Sequence, residues 1–176
     1  MAKATDRIPE YFKNDEFFVT GMHKDYVDKL WTQNKIQESY FRRLVDLYCV
    51  AAAVGLLANR RSEPDNSTPE KRTVQLMQIT ECYQTLIQLM RLVLILDETR
   101  GLDADERVRS AFRAPASREE YEANMELFNS YARGGIEILY ERLVIRNGNS
   151  SEDEFEDERV NNIVALLNNP PSTDEI

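Results

Sequence analysis

Residues 127–143 read L-F-N-S-Y-A-R-G-G-I-E-I-L-Y-E-R-L, and this stretch decides the fold. Its apolar residues fall on one side of a helix and its polar residues on the other. Gly134-Gly135 lies in the middle, where two glycines weaken a helix. We therefore predict a joint, with Gly134 ending one helix and Gly135 letting the backbone of the next pack closely.

The chain as a whole has few residues that break helices. It contains six glycines and six prolines among 176 residues, and apolar positions recur at helical spacing. The sequence predicts an all-α fold, a single-domain irregular helical bundle of about five to six helices, with an extended N-terminal arm and an acidic C-terminal tail. Helices are expected over residues 23–33, 36–59, 69–97, 103–112, 117–131 and 136–145.

Charge divides the chain unevenly. The net charge is −9, and residues 150–176 hold eight acids and one base, so the body is nearly neutral. We predict an arm over residues 1–20, a helical bundle domain over 21–147, and an acidic linker with a short amphipathic tail over 148–176. No apolar run is long enough for a signal peptide or a membrane span, which predicts a cytoplasmic protein.

Both ends of the chain carry apolar residues that are candidates for binding a partner protein. Aromatic pairs in the arm would anchor it on its own domain or on a partner. The tail has one short amphipathic segment with helical spacing, which would dock on the domain or lie in a partner's groove. The candidate partner-binding residues are Tyr11, Phe12, Phe17, Phe18, Val160, Ile163, Val164 and Leu167.

A loop over residues 59–69 has basic residues on both sides. Most such residues belong to a solvated surface of mixed charge, but a patch that contacts nucleic acid is an alternative. Aromatic residues that would stack on bases are missing beside it. The candidate nucleic-acid contacts are Arg60, Arg61, Lys71 and Arg72.

The sequence offers little catalytic equipment. The one histidine, His23, is interpreted as a surface or capping residue, and Cys49 and Cys82 as buried reduced thiols. The paired glycines follow a helix and lack the lysine of a phosphate-binding loop. We predict no catalytic residue, no cofactor and no metal. A less favoured alternative is a small metal-dependent hydrolase with helical carboxylates drawn from Glu119, Glu122, Glu126, Glu137 and Glu141.

Two stretches carry a family resemblance. Residues 47–61, L-Y-C-V-A-A-A-V-G-L-L-A-N-R-R, and the later Y-A-R-G-G-I-E-I-L resemble segments of small helical proteins encoded beside bacterial DNA phosphorothioation gene clusters. The resemblance implies an accessory protein of a phage-defence or DNA-modification system. It implies no reaction that could be assigned to residues. We therefore expect a non-catalytic helical accessory or adaptor subunit, acting through contacts with other protein subunits of a defence complex or through self-association.

Overall fold

The computed structural model describes residues 8–35, 39–145 and 155–172. Within these ranges the chain is mostly helical, as predicted, and forms seven helices and two short strands. The first seven residues of the predicted arm and residues 148–154 of the predicted acidic linker lie outside the described residues. In chain order the elements are β1 Phe17–Thr20, α1 Gly21–Leu30, α2 Leu44–Leu57, β2 Lys71–Val74, α3 Leu76–Glu81, α4 Tyr83–Leu96, α5 Ala104–Phe112, α6 Arg118–Leu143 and α7 Phe155–Asn168.

The elements belong to two compact units that alternate along the chain. Unit 1 contains residues 8–16 and Gln75–Phe128, and unit 2 contains Phe17–Val74 and the described residues from Asn129 onward. Neither unit is a continuous stretch of chain. The predicted division into arm, bundle and tail concerns consecutive segments and stays a prediction.

Unit 1 is built from residues 8–16 of the arm, α3, α4, α5 and the first part of α6. The arm packs through its aromatic residues: Tyr11 stacks on Tyr121 with ring centroids 5.5 Å apart, and Phe12 meets Phe128 edge-on at 5.0 Å. Helix α5 begins at the predicted position, where Asp103 and Glu106 form a reciprocal capping box. The buried face of α4 comprises Leu86, Met90, Val93 and Leu94.

Unit 2 contains the antiparallel pair β1–β2, with Phe17 opposite Val74 and Thr20 opposite Lys71. Side chains alternate as in any half-buried strand, so Phe17 and Val19 face inward while Phe18 is exposed. The prediction of one helix over residues 69–97 is wrong. Residues 71–74 pair with β1 instead, and the helical part is divided into α3 and α4.

Helix α6 runs unbroken through Gly134-Gly135, so the predicted joint between two helices is wrong. The glycines serve close packing against α2 and the chain after it. A Cβ added at Gly135 would overlap the carbonyl oxygen of Ala51, and one added at Gly55 would overlap that of Tyr131. This close crossing helps to bury eight of the fourteen residues of α2, while Val50 and Leu57 stay exposed.

The cysteines and the lengths of the helices can also be compared with the sequence predictions. Cys49 and Cys82 form no disulfide but are half-buried, so the prediction of buried thiols overstates their burial. No helix in the described part of the chain has the length and apolar character needed to cross a bilayer.

Candidate functional site

A buried polar cluster lies in unit 2. Its centre is His23 on α1, whose side chain has no exposed area. The His23 Nε2 atom lies 3.0 Å from Oε1 of Glu137 on α6 and 3.1 Å from Oγ of Ser62, in the loop after α2. Three elements distant in sequence therefore meet at one imidazole.

Gly134 makes this meeting possible. A Cβ at this position would overlap the carbonyl oxygen of Arg60, so only glycine lets the chain leave α2 and run directly along α6. Two hydrogen bonds hold it there. The Ser62 amide donates to the Ser130 carbonyl at 3.0 Å, and Nε of Arg133 donates to the Ser62 carbonyl at 2.7 Å.

Arg60 supplies positive charge to the cluster. Its Nε and Nη2 atoms donate to Oε2 of Glu137 at 3.1 and 2.7 Å, and its Nη1 and Nη2 atoms donate to the two carboxylate oxygens of Glu141, each at 2.9 Å. The guanidinium thus bridges two carboxylates one helical turn apart. The bonds to Glu141 and Glu137 raise the pKa of Arg60 against the opposing effect of burial.

Glu137 remains ionised although it is largely buried. Burial alone would raise its pKa, but hydrogen bonds from His23, Ser62 and Arg60 outweigh burial and lower the pKa to about 2. Because the carboxylate accepts from His23 Nε2, that nitrogen carries the proton. The positive charge that faces the Glu137 carboxylate comes from Arg60, which Glu137 shares with Glu141.

The cluster contains a serine, a histidine and a carboxylate, but not in the geometry of a hydrolase triad. A triad uses opposite ring nitrogens of its histidine, one toward the serine and the other toward the acid. Here both partners share Nε2, and among the described residues the buried Nδ1 atom has no hydrogen-bond partner. What this arrangement does is fasten α1, the loop and α6 together.

The interpretation of His23 as a surface or capping residue is wrong. His23, Val27 and Leu30 are all fully or nearly fully buried and lie on one face of α1. Helical spacing from Val27 and Leu30 is a signal that could have placed His23 inside. No local pattern marks Ser62, because its role depends on the path of the chain along α6.

The four predicted basic residues have different partners in the structure. Arg60 binds Glu137 and Glu141, and Arg72 binds the Asp28 carboxylate through Nε and Nη2. The Lys71 ammonium lies 5.4 Å from the ring centroid of exposed Phe18, and the Arg61 guanidinium lies 5.9 Å from that of Tyr131. The charges of Arg60 and Arg72 are therefore compensated by carboxylates.

The predicted partner-binding aromatics are placed differently from one another. Tyr11 and Phe12 are buried in unit 1, and Phe17 is buried in unit 2, where it stacks on Tyr48 at 4.2 Å. Phe18 alone among these four is more than half exposed, at 53%. The arm aromatics thus act mainly as anchors inside the chain in this conformation.

The tail residues lie on α7, which docks on unit 2. Arg159 Nη1 donates to the Ser39 carbonyl at 3.2 Å, Asn162 Nδ2 to the Leu143 carbonyl at 3.3 Å, and Arg142 Nη1 to the Asn169 carbonyl at 3.0 Å. Ile163 is partly covered, whereas Val160, Val164 and Leu167 are exposed. A docked helix therefore presents a row of apolar side chains outward.

The predicted helical carboxylates do not gather at one point. Glu137 and Glu141 bind Arg60, while Glu122 lines a polar pocket of unit 1 with Arg118. Glu119 and Glu126 lie elsewhere on α6 in unit 1. Within the described ranges, no group of three histidine, cysteine or acidic side chains has a geometry that could hold a metal ion.

Comparison with known protein families identifies the family of this chain. The family described as DNA sulphur modification system-associated protein 4 matches residues 20–156. The chain belongs to this family. The membership confirms the resemblance seen in residues 47–61 and 127–143, both of which lie inside the matched range. No curated protein and no solved structure matches the chain significantly.

The DNA sulphur modification system-associated family spans both the cluster and most of the fold. His23, Ser62 and Glu137 lie within the matched residues, as do the glycines of the α2–α6 crossing. The exposed row of α7 lies beyond residue 156. Family membership gives an association with DNA sulphur modification, which is consistent with an accessory role.

Proposed function

We propose that the chain is a non-catalytic accessory subunit that acts as an adaptor, binding another protein of a DNA sulphur modification system in a phage-defence or DNA-modification setting. We expect it to work in the cytoplasm. The observation that carries the proposal is the exposed apolar row of α7. Val160, Val164 and Leu167 are 56%, 47% and 73% exposed, at the spacing by which a helix lies in a groove.

The row is suited to binding because the other face of the same helix is already held. Arg159, Asn162 and Arg142 form hydrogen bonds that fix α7 on unit 2. A helix positioned in advance loses less conformational freedom when it binds than a disordered segment does. The outward side chains of the row are aliphatic, so a partner groove would be apolar.

The polar cluster supports a structural rather than a chemical role. Its two carboxylates share the Arg60 guanidinium, and its histidine is buried without the two-sided hydrogen bonding of a general base. The alternatives have less support. Of the four candidate nucleic-acid contacts, Arg60 and Arg72 bind carboxylates. Of the five candidate carboxylates of a metal-dependent hydrolase, Glu137 and Glu141 bind Arg60.

The test is co-expression with each protein of the modification system, one of them tagged at a time. We expect one of them to co-purify with the wild-type chain, and we expect the double substitution Val164→Ser, Leu167→Ser to abolish this. Both side chains are exposed, so the melting temperature should stay within a few degrees of the wild type. The matched control is Asn161→Ala, Asn168→Ala on an exposed side of α7 next to the row, which should retain binding.

Two outcomes would contradict the proposal. In one, the chain elutes without any modification protein, or the serine variant binds as well as the wild type. In the other, sedimentation shows a homodimer that the serine variant dissociates, because the row would then serve self-association and not an adaptor contact.

A further inference from the structure

Unit 1 contains a cleft that the proposed function does not use. It has a volume of about 230 Å³ and lies between α4, α5 and the arm. Small-molecule and cofactor sites usually occupy about 300–1,000 Å³, so this cleft is small for them and suits one large side chain. Its apolar lining includes Tyr11, Tyr83, Ile87, Met90, Phe112 and Pro115.

The walls of the cleft are held in place before any ligand arrives. Tyr11 is stacked on Tyr121, and Nδ2 of Asn124 donates to the Tyr11 hydroxyl at 2.7 Å. Met90 is fully buried beneath the cleft. Fixed apolar walls favour binding because little ordering is needed when a side chain enters.

Arg91 gives the cleft its chemical preference. Its guanidinium lies 5.1 Å from the ring centroid of Phe112, and this ring is 64% exposed. A guanidinium on an aromatic face keeps its N–H edge available, and that edge fits a carboxylate through two parallel hydrogen bonds.

The neighbouring cations differ from Arg91. Arg113 binds Glu120, and Lys13 binds Glu10 at 2.6 Å. Within the described part of the chain, no carboxylate pairs with Arg91. Two of the charged residues that line the cleft, Glu10 and Arg113, are therefore paired within the chain. The third, Arg91, is the one for which the described residues supply no carboxylate partner.

We propose that this cleft binds an acidic segment of a partner protein, with one aromatic side chain in the cleft and an adjacent carboxylate on Arg91. Apolar burial would supply part of the affinity, and the charge-assisted hydrogen bonds would select acidic over neutral sequences. The site is separate from the exposed row of α7, and neither proposal depends on the other.

The experiment measures binding of a fluorescein-labelled peptide, EEFEE, to the full chain by fluorescence anisotropy. The comparison peptides are QQFQQ, which lacks the carboxylates, and EEAEE, which lacks the aromatic ring. We expect EEFEE to bind most tightly and each comparison peptide to bind at least tenfold more weakly. Arg91→Gln should weaken EEFEE binding about tenfold, while Arg109→Gln, an exposed arginine of α5 outside the cleft lining, should leave it unchanged.

Any of three results would overturn the proposal: no binding of EEFEE at millimolar concentration, equal binding of EEFEE and QQFQQ, or equal effects of the two arginine substitutions. Equal binding of EEFEE and QQFQQ would show that the carboxylates contribute nothing, and equal effects of the two arginine substitutions would indicate attraction by overall charge rather than by the cleft. Both arginine variants keep the α7 row intact, so co-purification with a modification protein should persist in them and report on the proposed function separately.

Discussion

At the scale of single residues, Glu137 is the side chain that connects His23 and Ser62 with Arg60 in the polar cluster of unit 2. It accepts hydrogen bonds from His23, Ser62 and Arg60, each from a different part of the chain, and its own helix supplies Glu141 to share Arg60. A buried, ionised carboxylate destabilises the fold unless such donors satisfy it. Removing its charge therefore affects several partners at once.

Glu137→Gln should lower the free energy of unfolding by about 3 kcal/mol, because it leaves the partly buried Arg60 without its closer carboxylate and weakens the bond to His23. Urea denaturation followed by circular dichroism measures this. Glu141→Gln is the matched control: Glu141 binds the same arginine but is half exposed, so the loss should stay below about 1 kcal/mol. Equal losses in the two variants would show that burial of Glu137 contributes nothing.

At the scale of secondary-structure elements, the α2–α6 crossing depends on the absence of side chains. Gly55 faces the Tyr131 carbonyl, Gly135 faces the Ala51 carbonyl, and Gly134 faces the Arg60 carbonyl. None of these three has a positive φ, since positive φ among glycines occurs at Gly21 and Gly101 in the described chain. Glycine is required at these positions because a Cβ atom would not fit, and not because of the backbone conformation.

Gly135→Ala should destabilise the protein by about 2 kcal/mol or more, because the new methyl group would push α6 away from α2. Helix propensity alone predicts the opposite sign, a gain of about 1 kcal/mol for alanine over glycine inside a helix. The direction of the shift in thermal melting midpoint therefore decides between the two. A more stable variant would contradict the close crossing.

Local signals predicted several elements well. The capping residues Asp103 and Glu106 marked the start of α5, and the loop before β2 was visible from its turn residues. The strand β2 was not, because Thr68-Pro69-Glu70 resembles a helix start and the pairing with β1 depends on residues more than fifty positions away. Strand pairing between distant segments leaves little trace in a local pattern.

The candidate site was predicted less completely than the fold. The tail residues Val160, Val164 and Leu167 were singled out by helical spacing alone, and they are exposed on α7. The cluster of His23, Ser62 and Glu137 was missed because its members are 39 and 114 positions from the histidine. The pairing of Glu137 and Glu141 with Arg60 was also missed, since Arg60 could not be placed beside them without the fold.

At the scale of the whole molecule, acid should weaken the fold in both units. Folding lowers the pKa of Glu137 from 4.5 to about 2, and it also lowers that of Glu120 through Arg113 and that of Asp65 through the Met22 amide. A carboxyl with a lowered folded-state pKa contributes stability above its unfolded pKa and loses it as pH falls through the folded value.

The free energy of unfolding should therefore change little from pH 7 to pH 5 and fall steadily from about pH 4.5 to pH 2. Urea denaturation at fixed pH values across this range checks the expectation. The fall should be smaller in Glu137→Gln, because that variant has lost the group with the largest shift. A stability independent of pH below 4.5 would contradict the ionised, hydrogen-bonded state of these carboxyls.

The close crossing of α2 and α6 also has a consequence during synthesis of the chain. Helix α2 is apolar on nearly all sides, yet Gly135, which packs against its Ala51, is translated roughly 80 residues later. At about 5–20 residues per second, α2 waits roughly 4–16 s for its partner. Throughout that interval the face of α2 that α6 later covers lacks its partner in the nascent chain, and we expect a chaperone at the ribosome to bind this segment.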